Sequence, residues 1–578
     1  MQTEPIINVM LIDVTAKEDS RPSITDNASF ADVQLLKDEH HAVSNYMTLE
    51  WNYSVLDGTM QNMPDNIGSV GYPVFSKEIS DDYGNYDRIH DFKAEFTESH
   101  SSAGISFSFV GDFPKEIVVS WYRQNGELLV EKNFFPDSKN YFCDYKAEGY
   151  YKVTASFLGS VTPYRFLKIQ NIEYGCELIF AAENIREAKI LEEVDPISAE
   201  LSINTLDFTV YDPSREFNIL NQKGKYSLFQ SRQEIRVREM VNGFSLDMGT
   251  FYLESKESQN EVEISFHAVD GLGIIDKTNF VKGKIYNNAT AQSIIDEIMK
   301  SADWEKYEIS NELKNVRLSG YIGICSHREA LQQVAFALRA LVDCSRTNLI
   351  RIYRQNTSAD IKIKDDRIFL DGEKVTAKEY VSRIEVTTHQ YEHSTDRKDL
   401  FNGLLPAGLH EITFQNPAEN LSASVGTIVE SGVNYAVIRM TTPGECKVTG
   451  NEYTDMQSTF VRNTEEVQVN ETEKVISVKD ATLVSNSNVY LLAERLFDYY
   501  SLRRSLNVRY VLEAEHTGRW VSVKSQYGMY INGGIESQEI DLAGGFLSSA
   551  LITGYNTLET DFFYTGREAY TGEKIGVV

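Results

Sequence analysis

Between Glu193 and Leu253 apolar residues recur at every second position: Leu201 and Ile203, then Leu206, Phe208 and Val210, then Ile235 and Val237. A period of two belongs to a strand with one buried face, which confines this stretch to antiparallel structure of the sandwich or barrel kind. Its punctuation agrees. Asp212-Pro213-Ser214 ends the first run, because proline cannot donate to a ladder and fixes φ. Asn242-Gly243 supplies the left-handed pair that a tight hairpin needs before Met248-Gly249-Thr250-Phe251-Tyr252-Leu253.

The chain around this block has 578 residues, room for roughly four domains at about 150 residues each, and its 42% hydrophobic content is ample for packed cores. Lys and Arg number 56 against 85 Asp and Glu, a formal charge of -29. A field of that sign repels phosphate backbones and anionic membrane surfaces, so specific nucleic-acid binding is not expected. The first basic residue is Lys17, which leaves no basic n-region for a secretory signal, and no run approaches the ~18 apolar residues of a membrane-spanning helix. Cys143, Cys176, Cys325, Cys344 and Cys446 are scattered, odd in number and free of CxxC pairing, which reads as buried free thiols in a reducing cytoplasm.

Three zones and a tail follow from the patterning. Residues 1–175 are rich in aromatics and turn residues: Ile105, Phe107 and Phe109 alternate, as do Ile117, Val119 and Trp121, and Asn125-Gly126 turns the chain into Leu128-Leu129-Val130. Short strands at this spacing predict a β-sandwich. Residues 176–388 mix strands with helices. Ser326 and Glu329 form a capping-box pair ahead of Leu331, Val334, Ala335 and Leu338, and a helix near Thr290 carries Ile294, Ile295, Ile298 and Met299 on one face. Residues 389–555 return to strands, such as Lys474-Val475-Ile476-Ser477-Val478, around a helix over 488–503. Residues 556–578 read as a C-terminal arm. The fold class is mainly β with α+β parts.

Enzyme chemistry finds little footing. His389-Gln390-Tyr391-Glu392-His393 matches HxxEH, but that zinc signature needs both histidines on one helical face, and Ser382 to Thr387 alternates as a strand. Cys325 and His327 have no third orienting group at a spacing that builds a triad, and no GxxxxGK[ST] loop occurs. No catalytic residue, metal or cofactor is assigned.

Two resemblances sharpen the reading. The stretch FTVYDPSREFNILNQKGKYSLFQSRQEIRV followed by GTFYL, with HAVDGLGIIDKTNF, GYIGICSHREALQQVAFALRALVDC and GGFLSSALITGY, resembles tail-hub (baseplate hub) proteins of long-tailed phages of Gram-positive bacteria, over roughly Glu187 to Gly554. The resemblance implies hub β-barrels, begun in 176–388 and completed in 389–555, in a homotrimeric ring at the tail tip. It also implies assembly in the bacterial host cytoplasm and the tail tube or distal tail protein, the tape-measure protein and a tail fibre or receptor-binding protein as partners. A phage and a headless bacteriocin particle both fit.

YRFLKIQNIEYG, from Tyr164 to Gly175, resembles the end of galactose-binding-like jelly rolls, which implies a jelly-roll-like sandwich over 1–175 able to meet host cell-wall polysaccharide through surface aromatics. Trp51, Tyr83, Tyr86 and Tyr122 are the glycan-binding candidates. Tyr83 and Tyr86 sit in the acidic turn Asp81-Asp82-Tyr83-Gly84-Asn85-Tyr86-Asp87, whose oxygens are of the kind that hold calcium, without EF-hand spacing. Two other readings stand beside the hub: a peripheral tail-tip carbohydrate-binding protein, and a tail-associated cell-wall hydrolase.

Overall fold

The computed structural model describes residues 2–557 apart from 38–42, 64–70, 222–223, 227–228, 359–360, 415, 465–473 and 527. The expected C-terminal arm therefore falls, beyond Thr557, outside the described residues. The fold is mainly β with few helices. It divides into two compact units, residues 8–179 with 214–233, and residues 1–7, 180–213 and 234–578.

In the smaller unit the long strands β1 (His90–Phe109) and β4 (Asn140–Ser160) pair antiparallel along most of their length. β2 (Pro114–Tyr122) and β3 (Leu128–Phe134) extend the sheet on one side, and β5 (Lys168–Glu173) pairs with the far end of β1. Register irregularities between Glu95 and Gly104 bend the pair. The consequence shows at Phe157, which lies opposite His90 in the ladder yet packs edge-to-face on Phe107, 5.3 Å away, from the other half of β1. One sheet thus folds over itself into two layers around Phe92, Ile105, Trp121, Tyr150 and Val153. Trp121, in step with Ile117 and Val119, is in this core. At Asn125-Gly126 only Gly126 takes positive φ, and the turn spans Arg123 to Glu127, a wider connection than a two-residue hairpin.

In the larger unit the alternating block forms β7 (Thr205–Tyr211), preceded by β6 (Ile185–Glu193) and followed by β8 (Glu234–Val241), β9 (Phe244–Ser258) and β10 (Glu263–Val269). β7 stops at Tyr211, just before Asp212-Pro213. Asn242 (φ 50°) and Gly243 (φ 86°) make the β8–β9 turn, closed by Val241 opposite Phe244.

Two helices, α1 (Ala291–Ser301) and α2 (His327–Leu338), pack with Ile294, Ile295, Ile298, Leu331 and Val334 into a separate apolar core. The capping box on α2 is complete: Ser326 Oγ accepts from Glu329 N at 3.1 Å and Glu329 Oε2 accepts from Ser326 N at 2.9 Å. β11 (Leu341–Asp343) and β12 (Ile350–Tyr353) follow directly.

The last third supplies α3 (Val489–Tyr500) and four strands, β15 (Arg504–Val511), β16 (Trp520–Lys524), β17 (Tyr530–Asp541) and β18 (Leu547–Thr557), after the hairpin β13 (Val381–Glu392) and β14 (Thr454–Asn463). The sheet order runs from the strand Ile368–Ala377 through β15, β18, β17, β6, β7, β10 and β9 to β8, and continues beyond β8 to the strand Thr3–Ile12. β17 divides its pairing, its first half with β16 and its second with β6. Among the described residues this order does not return on itself, so the expected closed barrels are replaced by an open, branched sheet. Alternation fixes which face of a strand is buried; closure depends on stagger summed over every strand, which no single run encodes.

Residues 397–452 sit between β13 and β14 as two three-stranded sheets with their own core of Ile412, Ala436, Ile438, Cys446 and Val448. His389 lies inside β13, not on a helix. Its Nδ1 meets Asp455 at 2.8 Å and its Nε2 meets Lys479 O at 2.8 Å, while His393 is paired with Glu419. The two imidazoles of HxxEH therefore serve separate contacts. All five cysteines are free thiols, four buried and Cys325 half-buried.

Candidate functional site

A loop of the smaller unit, residues 47–54, presents apolar side chains to water while its middle is nailed down. Glu50 is 4% exposed. Its carboxylate accepts from Phe166 N at 3.0 Å, from Thr48 Oγ1 and from the ammonium of Lys168, itself fully buried on β5. Lys168 Nζ also stands 3.9 Å from the centre of the Tyr53 ring. Burial, with the Glu50 carboxylate adding and Arg165 opposing, pushes the Tyr53 phenol up to about 12. Neutral through the physiological range, that phenol donates to Asn45 Oδ1 at 2.8 Å. A buried, fully bonded ion pair loses strongly when one partner is removed, so this anchor fixes the loop.

Trp51, the next residue, is 61% exposed. Its carbonyl is held by Arg165 Nη1 at 2.6 Å, and its indole meets Tyr164 edge-on, with ring centres 6.2 Å apart and planes at 78°. Tyr164 adopts φ 57°, a left-handed conformation that turns its ring toward Trp51, and it too is exposed. Two amphipathic rings on a fixed backbone form the kind of surface on which a sugar's apolar face stacks.

The 81–87 turn adjoins this pair, since Tyr164 N donates to Asp81 O at 3.3 Å. Asp81 Oδ1 accepts from Asn85 N at 2.7 Å and Tyr83 N at 2.9 Å, and these amide bonds hold its carboxyl below the usual range. The carboxylate is thus occupied in closing the turn. Tyr83, at 73% exposed, projects outward, and its carbonyl is gripped by Lys115.

Tyr86 and Tyr122 stand elsewhere. Tyr86 turns inward, its ring 4.6 Å from His90 against the sandwich core, and burial pushes its phenol up. Tyr122 ends β2, under Lys152 Nζ at 3.9 Å. In the β2–β4 ladder Pro114 faces Ser160 near the 81–87 turn, and Tyr122 faces Lys152, eight residues along β2, about 26 Å away at the rise of a strand. Of the four candidates the structure brings Trp51 and Tyr83 to one end of the sandwich. It adds Tyr164, Glu50 and Lys168, whose part rests on a positive φ and on a contact spanning 118 residues. Among the described residues no cluster of metal-binding side chains is found.

No protein-family model matches the chain, and no curated protein does. Among solved structures it is similar to a tail protein from Neisseria meningitidis, with a TM-score of 0.40 at 10% identity over 65% of this chain and 93% of that one. It is likewise similar to the 43 kDa tail protein of prophage MuSo2 from Shewanella oneidensis (TM-score 0.37, 11% identity, 65% and 95% covered) and to a prophage tail protein from Listeria monocytogenes (0.37, 10%, 66% and 91%).

Proposed function

We propose that the chain is a structural component of the tail tip of a phage or phage-tail-like particle, forming the hub that closes the tail tube and docks peripheral parts. The observation that carries this reading is the way the hub-like sequence blocks assemble. β6 to β10 come from one end of the resemblance and β15, β17 and β18 from the other, yet they make one sheet, joined where Glu193 faces Ser537, 344 residues later. Among the described residues the strand Ile368–Ala377 ends that sheet with a single partner. Such an edge needs cover, and a neighbouring copy in a threefold ring supplies it. The tail tube or distal tail protein, the tape-measure protein and a fibre or receptor-binding protein are the partners this reading assigns. The chain itself acts without chemistry.

Light scattering with negative-stain imaging of the purified full chain tests it. A ring of three chain masses is expected; a monomer at every concentration, also when mixed with tail-tube protein, would overturn the trimeric hub. Trp51, Tyr164 and Tyr83 favour a second role for the smaller unit, contact with cell-wall polysaccharide. Retention on insoluble wall polysaccharide that survives Trp51→Ala would remove that role from this surface.

A further inference from the structure

Against a formal charge of -29, one cavity of the larger unit is lined by cations. It measures about 310 Å³ and opens between the end of β12 and the turn from His516 to Trp520, with Arg351, Arg354 and Arg519 beside the rings of Tyr353 and Trp520. Arg351 is partly neutralised: its Nη2 donates to buried Asp343 at 2.6 Å and to Ser345 O at 3.1 Å. Its Nε is buried without a partner, and so is the hydroxyl of Ser310 on the same wall.

Arg354 is exposed and makes no hydrogen bond or ion pair among the described residues. Arg519 Nε donates to His516 Nε2 at 3.2 Å, while His516 Nδ1 lies 2.8 Å from Thr517 O. That pattern requires a neutral imidazole, donor at Nδ1 and acceptor at Nε2, so His516 orients Arg519 without adding charge. Arg339, at the end of α2, is pushed down by burial and then by the like charges of Arg354 and Arg495. Among the described residues the one carboxylate on the wall is Glu308, exposed and opposite Arg351 in the parallel pairing. Two guanidiniums thus face a cavity in which Glu308 is the only carboxylate among the described lining residues.

We infer that this cavity binds a phosphate-type oxyanion, free or as the phosphomonoester of a small molecule, with Arg354 and Arg519 as its charged donors. Two charged guanidiniums, each with several N–H donors, match the higher charge and extra oxygens of a tetrahedral phosphate better than a singly charged carboxylate. Guanidinium groups suit such oxygens by their forked geometry. The volume exceeds that of phosphate alone, and Tyr353 and Trp520 offer an apolar wall to whatever the phosphate carries.

Calorimetric titration of the full chain at constant ionic strength tests this with inorganic phosphate, phenyl phosphate and acetate. Saturable binding of phosphate is expected, and tighter binding of phenyl phosphate identifies the monoester as the source. Arg354→Ala with Arg519→Ala weakens phosphate by at least ~10-fold, the scale of a lost charge-assisted hydrogen bond, and Glu308→Gln strengthens it. Arg354 has no partner to lose, so the single Arg354→Ala variant reads the same loss should the double variant fail to fold. No saturable heat, acetate binding as tightly as phosphate, or an unchanged affinity in a folded Arg354→Ala variant overturns the site.

Discussion

Two glutamates are almost equally withdrawn from water, Glu50 of the smaller unit at 4% exposed and Glu239 on β8 of the larger at 0%. Their company differs. Glu50 accepts from an ammonium, a hydroxyl and a backbone amide, whereas neither oxygen of Glu239 has a hydrogen-bond partner among the described residues, and the nearest influence on it is a like charge on Glu4. Burial first, and Glu4 second, push the Glu239 carboxyl up to about 8. A buried carboxylate is therefore not one kind of feature: with matched donors it is a fastener, and without them it stays protonated and becomes sensitive to pH.

Breaking the fastener has the largest expected effect. Lys168→Met leaves Glu50 buried without its cation and lowers stability by about 3–5 kcal/mol, read by chemical denaturation. Adding Glu50→Leu restores much of it; a single variant within ~1 kcal/mol of the parent would mean the pair anchors nothing. Glu239 sharpens the contrast. Its folded pKa lies above the ordinary 4.5, so the folded state holds the extra proton between those values. That contribution is full below about pH 4.5 and is lost as pH rises through about 8, on the order of 1–3 kcal/mol once solvent screening is allowed for. Glu239→Gln removes this loss, so melting curves from pH 5 to 9 should flatten in the variant; parallel profiles would refute the assignment. Smallest is Trp51→Ala, beside the fastener but outside it, which shifts stability by less than ~0.5 kcal/mol while removing polysaccharide retention.

The sequence made some elements legible because their causes are local. Period-two alternation locates β7, the Asn242-Gly243 pair locates the β8–β9 turn, and Ser326 with Glu329 locates the start of α2. Other features rest on distant partners. Nothing near Phe157 says that β1 bends back to bring Phe107 onto it, and nothing around Lys168 announces that its ammonium is fully buried against Glu50. Tyr164 needs a positive φ that no neighbouring glycine signals, and the six strands of 397–452 alternate like the strands around them, so their separate core does not show. Of the candidate surface, Tyr83 was readable as an aromatic of an acidic turn, whereas the run Thr48 to Tyr53 around Trp51 reads as a strand and folds as a turn; the inward turn of Tyr86 and the distance to Tyr122 are properties of the assembled sheet.

The small sandwich at the tip of β13 and β14 leaves and rejoins the chain at facing positions, Glu392 opposite Thr454. Its two ends are separated by only the width of a ladder, about 5 Å, a gap any short turn can bridge. The ten-residue pairing from Arg383 to Glu392 is thus complete without it. Residues 393–453 amount to a socketed cartridge: a lineage could discard it, or exchange it for another of different shape, while the register of everything beneath stays as it is.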